Sequence, residues 1–234
     1  MGAIKDDNNV IFLNVSLGKI RRQVKEPTEE TVSRTNKNQK EVHELVYDGW
    51  MGRLDSIETR KTDFGTEIQL VMNDGEQMAK IGLMYSSDHF LDFANRLLNF
   101  TAQEIASETI EIRPFSKTDT KDGKSYTNNF LLLKLRNEDG NRQRKYTKEN
   151  PGDMPNWEQV DNPNGEGKIW SQKKQRKFLI EELGKLMKEV QEIRQTMAPE
   201  PKSAPPSETH DDNGVSEPEY VMSDDDEDEE PLPF

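Results

Sequence analysis

Arg113, Phe115, Lys117, Lys121, Lys124, Tyr126, Phe130 and Lys134 follow one another along a single stretch of chain. Cations can track phosphates, and flat rings can stack on bases; single-strand nucleic-acid binding needs both. From 126 to 136 the residues alternate. Tyr126, Asn128, Phe130, Leu132, Lys134 and Arg136 share one face, and Asn129, Leu131, Leu133 and Leu135 share the other, the core-facing side. Arg142, Arg144, Lys145, Tyr146 and Lys148 form the densest basic cluster of the body. Further back, Trp50 and Arg53 precede Arg60, Lys61 and Phe64. Each has a plainer reading. Trp50 and Phe130 are of the size that fills cores, and loop cations commonly do no more than solvate. Phe115 and Tyr126 flank a polar turn, where exposure is expected.

Other chemistries find little support. There is no cysteine, which excludes disulfides and thiolate metal sites, and His43, His89 and His210 stand far apart. No Walker loop, Gly-x-Gly-x-x-Gly or nucleophile elbow occurs. Asp63 and Glu67 read as solvated strand-edge charges. The expectation is a binding protein without catalytic residues, metal or cofactor.

The elements that must position these residues are mostly strands. Residues 10–25 read as a first strand and 26–41 as a long exposed loop. A strand is expected over 43–60, interrupted by Gly49 and Gly52, with two more over 66–72 and 77–85 around an Asn73-Asp74-Gly75 turn. A short helix over 87–100, capped by Ser86 or Ser87, carries Phe90, Leu91, Ala94, Leu97 and Leu98 at helical spacing. Strands 109–116 and 126–136 follow around the Lys121–Lys124 turn, then a short strand over 142–147. Three strands, a helix and two strands is the order of a five-stranded Greek-key barrel of the OB type, whose last hairpin loop is a usual nucleic-acid contact. The fold class expected is mainly β: an OB-like barrel over residues 1–148 with an added N-terminal strand. An α+β sandwich of other topology fits the same pattern.

Residues 149–170 are rich in Pro, Gly and Asn and contain Trp157 and Trp170. A long helix over 171–197 follows. Leu179, Leu183, Leu186, Val190, Ile193 and Met197 form a short heptad seam, fit either for packing on the body or for self-association. Its first turns hold Lys173, Lys174, Arg176 and Lys177, which oppose the helix dipole. Binding phosphates or an acidic segment would explain them.

Net charge is −13, but residues 198–234 alone carry thirteen acidic side chains and one lysine, leaving a nearly neutral body. That segment reads as a disordered Pro/Ser/acidic tail, which fully extended reaches on the order of 120 Å. No apolar run of membrane length and no N-terminal signal peptide is present, so a cytoplasmic location is expected. The chain ends Asp224-Asp225-Asp226-Glu227-Asp228-Glu229-Glu230-Pro231-Leu232-Pro233-Phe234. Seven carboxylates repel one another into water, and an apolar plug with a free carboxylate closes the string.

This ending resembles the acidic tip of bacterial and phage single-stranded-DNA-binding proteins, in which a run of Asp and Glu closes on Pro-Phe. Leu232 stands where the bacterial tip usually has isoleucine. The resemblance covers the tip alone; its restriction to the tip and the size of the chain point to a phage version. It implies a protein that coats single-stranded DNA in replication, recombination or repair. It also implies that the tip recruits partner enzymes and competes with DNA for the binding groove. The rival expectation is a protein-interaction adaptor whose tip imitates the host tail.

Overall fold

The computed structural model describes residues 10–36, 39–121, 123–162 and 165–197. They form a mainly β body with a long C-terminal helix. The main sheet has nine strands: β1 (Val10–Ser16), β2 (Lys19–Val24), β3 (Val32–Thr35), β4 (Glu41–Tyr47), β5 (Trp50–Thr62), β6 (Gly65–Asn73), β7 (Met78–Met84), β8 (Ile110–Lys121) and β9 (Lys124–Leu135). Their order is β3-β4-β2-β1-β7-β6-β5-β8-β9. Every pairing is antiparallel except that of β1 with β7.

A closed five-stranded barrel with one added strand is therefore not what forms. The expected strand over 10–25 is a hairpin, because Leu17 (φ 51°) and Gly18 (φ 69°) turn the chain back. The expected loop over 26–41 contains β3, whose four residues are all exposed and which forms one edge of the sheet. The expected strand over 43–60 breaks at Asp48–Gly49 into β4 and β5, which pair with different neighbours. Residues 142–147 form no strand. The expected run 66–72, 77–85, helix, 109–116 and 126–136 is present as β6, β7, α1 (Asp88–Leu97), β8 and β9.

The sheet curls into a half-barrel. β2 and β8 stand five places apart in the sheet order, yet they meet at Gly18, where a Cβ would lie 2.5 Å from Ser116 N. A side chain there would drive the two segments apart. Ile11, Leu13, Ile20, Leu54, Ile68, Leu70, Ile81 and Leu83 fill the core, together with Phe90, Phe93 and Leu97 of α1. Ser87 caps α1, its hydroxyl accepting from Phe90 N at 3.2 Å. A second short helix, α2 (Ala102–Ser107), starts from a capping box of Thr101 and Glu104.

α3 (Lys173–Met197) packs on this same core. Leu179, Ile180, Leu183, Met187 and Val190 are buried, Leu186 and Ile193 lie half-buried against them, and Met197 is exposed. Arg194 fixes its far end by donating to the carbonyls of Leu54 (2.7 Å), Asp55 (3.0 Å) and Ile105 (2.9 Å). Between β9 and α3 the chain makes a separate small hairpin, β10 (Glu158–Asp161) with β11 (Lys168–Ser171). No helix among the described residues is long and apolar enough to cross a membrane.

Candidate functional site

β8 and β9 pair along their whole length, from Ile110 with Leu135 to Lys121 with Lys124. On its other side β8 meets β5 over only three residues, Ile110 to Ile112. Beyond that the two strands pair only with each other. Residues 115–120 and 124–128 are exposed, and past the contact of Ser116 with Gly18 the hairpin leaves the body as a two-stranded arm. At its root Phe115 stacks on Phe130, ring centroids 4.7 Å apart and planes 15° from parallel. Farther out, Tyr126 is 51% exposed and sits opposite Asp119. Lys117 pairs with Asp119 at 3.1 Å, an exposed contact of little strength. Lys124 is exposed and has no ionic partner among the described residues. Lys121 ends β8, and its side chain lies outside what is described.

Arg113 and Lys134, near the base, share one carboxylate. Glu111 lies 2.7 Å from Arg113 Nη2 and 3.3 Å from Lys134 Nζ. The core face of β9 is Leu131, Leu133 and Leu135, as the alternation predicts.

The basic cluster 142–148 is anchored very differently. Arg142 lies over the Phe100 ring at 4.6 Å, pairs with Glu104, and contacts Glu138 at 2.6 Å. Arg144 donates from Nε to Asp92 Oδ1 at 2.6 Å. Asp92 is 1% exposed; the same oxygen accepts from Arg96 Nε at 3.0 Å, and Oδ2 accepts from Leu131 N at 2.8 Å. That carboxylate thus joins α1, β9 and the basic segment. Asn95 supplies a second tie, donating to Tyr146 O and accepting from Tyr146 N, both at 2.8 Å. Tyr146 meets Phe178 edge-on with centroids 5.4 Å apart, and Lys145 Nζ lies 5.6 Å from the Tyr146 ring.

Along this segment runs a cleft of about 1190 Å³ between β9, residues 144–157, the β10–β11 hairpin and the start of α3. Phe130, Arg144, Tyr146, Lys148, Trp157 and Trp170 line it, together with Asp88 and several side-chain amides. Phe130 therefore belongs both to the arm's root and to the cleft. Trp157 and Trp170 are 51% and 61% exposed. Sequence reasoning placed them in a linker; the signal that could have found them is two large rings in a polar, Pro-rich stretch.

The remaining candidates lie elsewhere. Trp50 begins β5, packs edge-on to Tyr47 at 5.6 Å and joins the core, its indole N–H buried with no hydrogen-bond partner among the described residues. Arg53 donates to Asp55 at 2.7 Å. Arg60 faces Glu67 across β5–β6, and Lys61 faces Thr66, both exposed. The adjoining turn presents Phe64 at 81% exposure. Of the helix-start cations, Lys174 pairs with Glu158 at 2.7 Å and Arg176 donates to Ser86 O at 2.8 Å, which joins the small hairpin and α1 to α3. The tip Asp224–Phe234 lies outside the described residues.

Two titratable groups mark the body's buried electrostatics. Hydrogen bonding by Arg34, with Arg21 beside it, holds the Glu44 carboxyl below the usual carboxylate range despite its burial. Burial pushes the His89 imidazole below its ordinary value, against the pull of Asp88 and Asp92. Among the described residues no group of three or more His, Asp or Glu side chains gathers as a metal site. Neither a family model, a curated protein nor a solved structure matches the chain.

Proposed function

We propose that this chain is a non-enzymatic, sequence-tolerant binder of single-stranded DNA with a recruiting acidic tail, of the phage type. One observation carries the reading. The projecting arm offers a stacked ring pair at its root and, farther out, a half-exposed Tyr126 beside Lys124, which has no ionic partner among the described residues. Exposed rings beside exposed cations are what a flexible strand of bases and phosphates requires. The order β7-β6-β5-β8-β9, with its helices between β7 and β8, supports an OB-type arrangement opened along one edge and extended by β1 to β4. On that arrangement the arm is the loop that commonly meets nucleic acid.

The tail Asp224–Phe234 would recruit replication, recombination or repair enzymes in the host cytoplasm and compete with DNA for the same cations. Fluorescence anisotropy with labelled oligo(dT), against duplex of equal length at two salt concentrations, tests the whole reading. Single-strand affinity should exceed duplex affinity and fall with salt. Removing residues 224–234 should raise affinity at low salt. An absence of binding by a chain ending at Met197 overturns the proposal in favour of the tail-bearing adaptor.

A further inference from the structure

In the cleft beneath the β10–β11 hairpin, Trp157 and Trp170 stand outside the core, so these two rings do not hold the body together. Register places Gln159 opposite Trp170 and Glu158 opposite Ser171. Continuing that alternation puts Trp157 and Trp170 on one face of the hairpin, as diagonal neighbours within reach of a shared ligand. Neither ring stacks on another aromatic among the described residues, in contrast to Trp50, Phe115, Phe130 and Tyr146. A half-exposed indole without a ring partner is a free stacking face.

The polar lining suits the same ligand. Asn156 has no hydrogen-bond partner, and Lys148 no ionic partner, among the described residues. Arg144 is held by its Nε on Asp92 but keeps its side chain 44% exposed. Asp88 is the acidic side chain facing them. Flat apolar faces, a free amide and two cations match a nucleotide: a base to stack, an edge to hydrogen-bond and a phosphate to neutralise.

We infer that this cleft is a stacking subsite for an unpaired base of the bound strand, gripped by Trp157 and Trp170, with the adjoining phosphate on Lys148 and Arg144. The inference rests on the single-strand reading above. Continuity with the arm through Phe130 favours a nucleic-acid strand over a peptide here. A strand leaving the arm would pass directly into the cleft.

The test uses the full chain and oligo(dT). Binding should quench tryptophan emission. Trp170→Ala and Trp157→Ala should each weaken binding by roughly 5- to 150-fold. Trp170→Phe, which keeps a stacking face, should retain most affinity, and Trp170→Leu should not. Lys148→Glu, remote from the core, should weaken binding and reduce the salt slope by about 0.7, the share of one phosphate. A crosslink from 5-iodouracil in the oligonucleotide to Trp157 or Trp170 would place the base directly. If the unmodified chain does not bind oligo(dT), the single-strand reading fails and takes this inference with it. If it binds, and the folded tryptophan variants and Lys148→Glu bind equally well, only the cleft assignment is overturned. Equal affinity of Trp170→Leu and Trp170→Phe would likewise overturn it.

Discussion

The arm over 113–130 and the segment over 142–148 look alike as strings of letters: the arm sets Arg and Lys among Phe115, Tyr126 and Phe130, and the segment sets them around Tyr146. In the fold they differ in what their charges are already doing. On the outer arm, Lys117 has only an exposed aspartate and Lys124 has no ionic partner among the described residues. In the segment, Arg142 is engaged by Glu104, Glu138 and the Phe100 ring, while Arg144 is tied through Nε to buried Asp92 and keeps a side chain 44% exposed toward the cleft. A guanidinium engaged on several sides, as Arg142 is, must break those contacts before meeting a phosphate, whereas a solvated ammonium need only shed counterions. Basic density in a sequence therefore does not measure the charge available to a ligand. The segment's contribution is to hold Tyr146 and Lys148 in place at the cleft wall.

The largest effect should come from removing the anchor itself. Asp92→Ala leaves Arg96, Arg144 and the Leu131 N–H without their shared acceptor, and should cost about 3–5 kcal/mol in urea unfolding. A loss below about 1 kcal/mol would mean the segment is no more anchored than the arm. Next, Tyr126→Ala should weaken oligo(dT) binding by about 1–3 kcal/mol with unchanged stability. An unfolding midpoint that drops with the affinity would make Tyr126 structural. The sharpest contrast is in salt dependence. Lys117→Ala with Lys124→Ala should lower the slope of log affinity against log salt by about 1.4 in all. Arg142→Ala should leave that slope alone and lower the unfolding midpoint instead; equal slope changes would erase the distinction between the two regions.

The smallest effect concerns pH. His89 is buried, its Nε2 has no hydrogen-bond partner among the described residues, and burial holds its pKa below the ordinary value of about 6.5. The unfolded chain takes up this proton first as pH falls, so His89 should withdraw stability below about pH 6.5. Glu44 has the opposite state in the fold, a stabilised carboxylate, and its contribution goes at lower pH, as it protonates below the carboxylate's ordinary value. His89→Gln should flatten the upper part of the urea-midpoint profile and leave the lower part unchanged. A profile unaltered near pH 6 would show that His89 is not the group titrating.

Much of the framework was legible locally. Alternation in 126–136 predicts Leu131, Leu133 and Leu135 as core because a strand's side chains point to opposite faces in turn. The Asn73-Asp74-Gly75 turn and the Ser87 cap follow from short-range hydrogen bonding and the freedom of Gly75 at φ 100°. The N-terminal third was misread for a related reason. Leu17-Gly18 is not a usual turn pair, and Leu17 adopts positive φ only because β2 pairs back on β1 and Gly18 is pressed against β8. The polar stretch containing β3 has no apolar alternation to announce it; β3 forms by pairing with β4, with Arg34 reaching buried Glu44 at 2.6 Å.

By itself the sequence determined the class of body, the run of elements from β6 to β9, the separation of a neutral body from an acidic tail, and the rings and cations of the arm as candidates. These depend on periodicity, turn chemistry and composition, all properties of near neighbours in the chain. Only the tertiary structure decided that the sheet has nine strands, that α3 turns its apolar seam to the body, that Arg142 and Arg144 are engaged, and that Phe130, Tyr146, Trp157 and Trp170 line one cleft. Those outcomes depend on pairs far apart in the chain, such as Asp92 with Arg144, whose contact exists only once sheet and helices have packed.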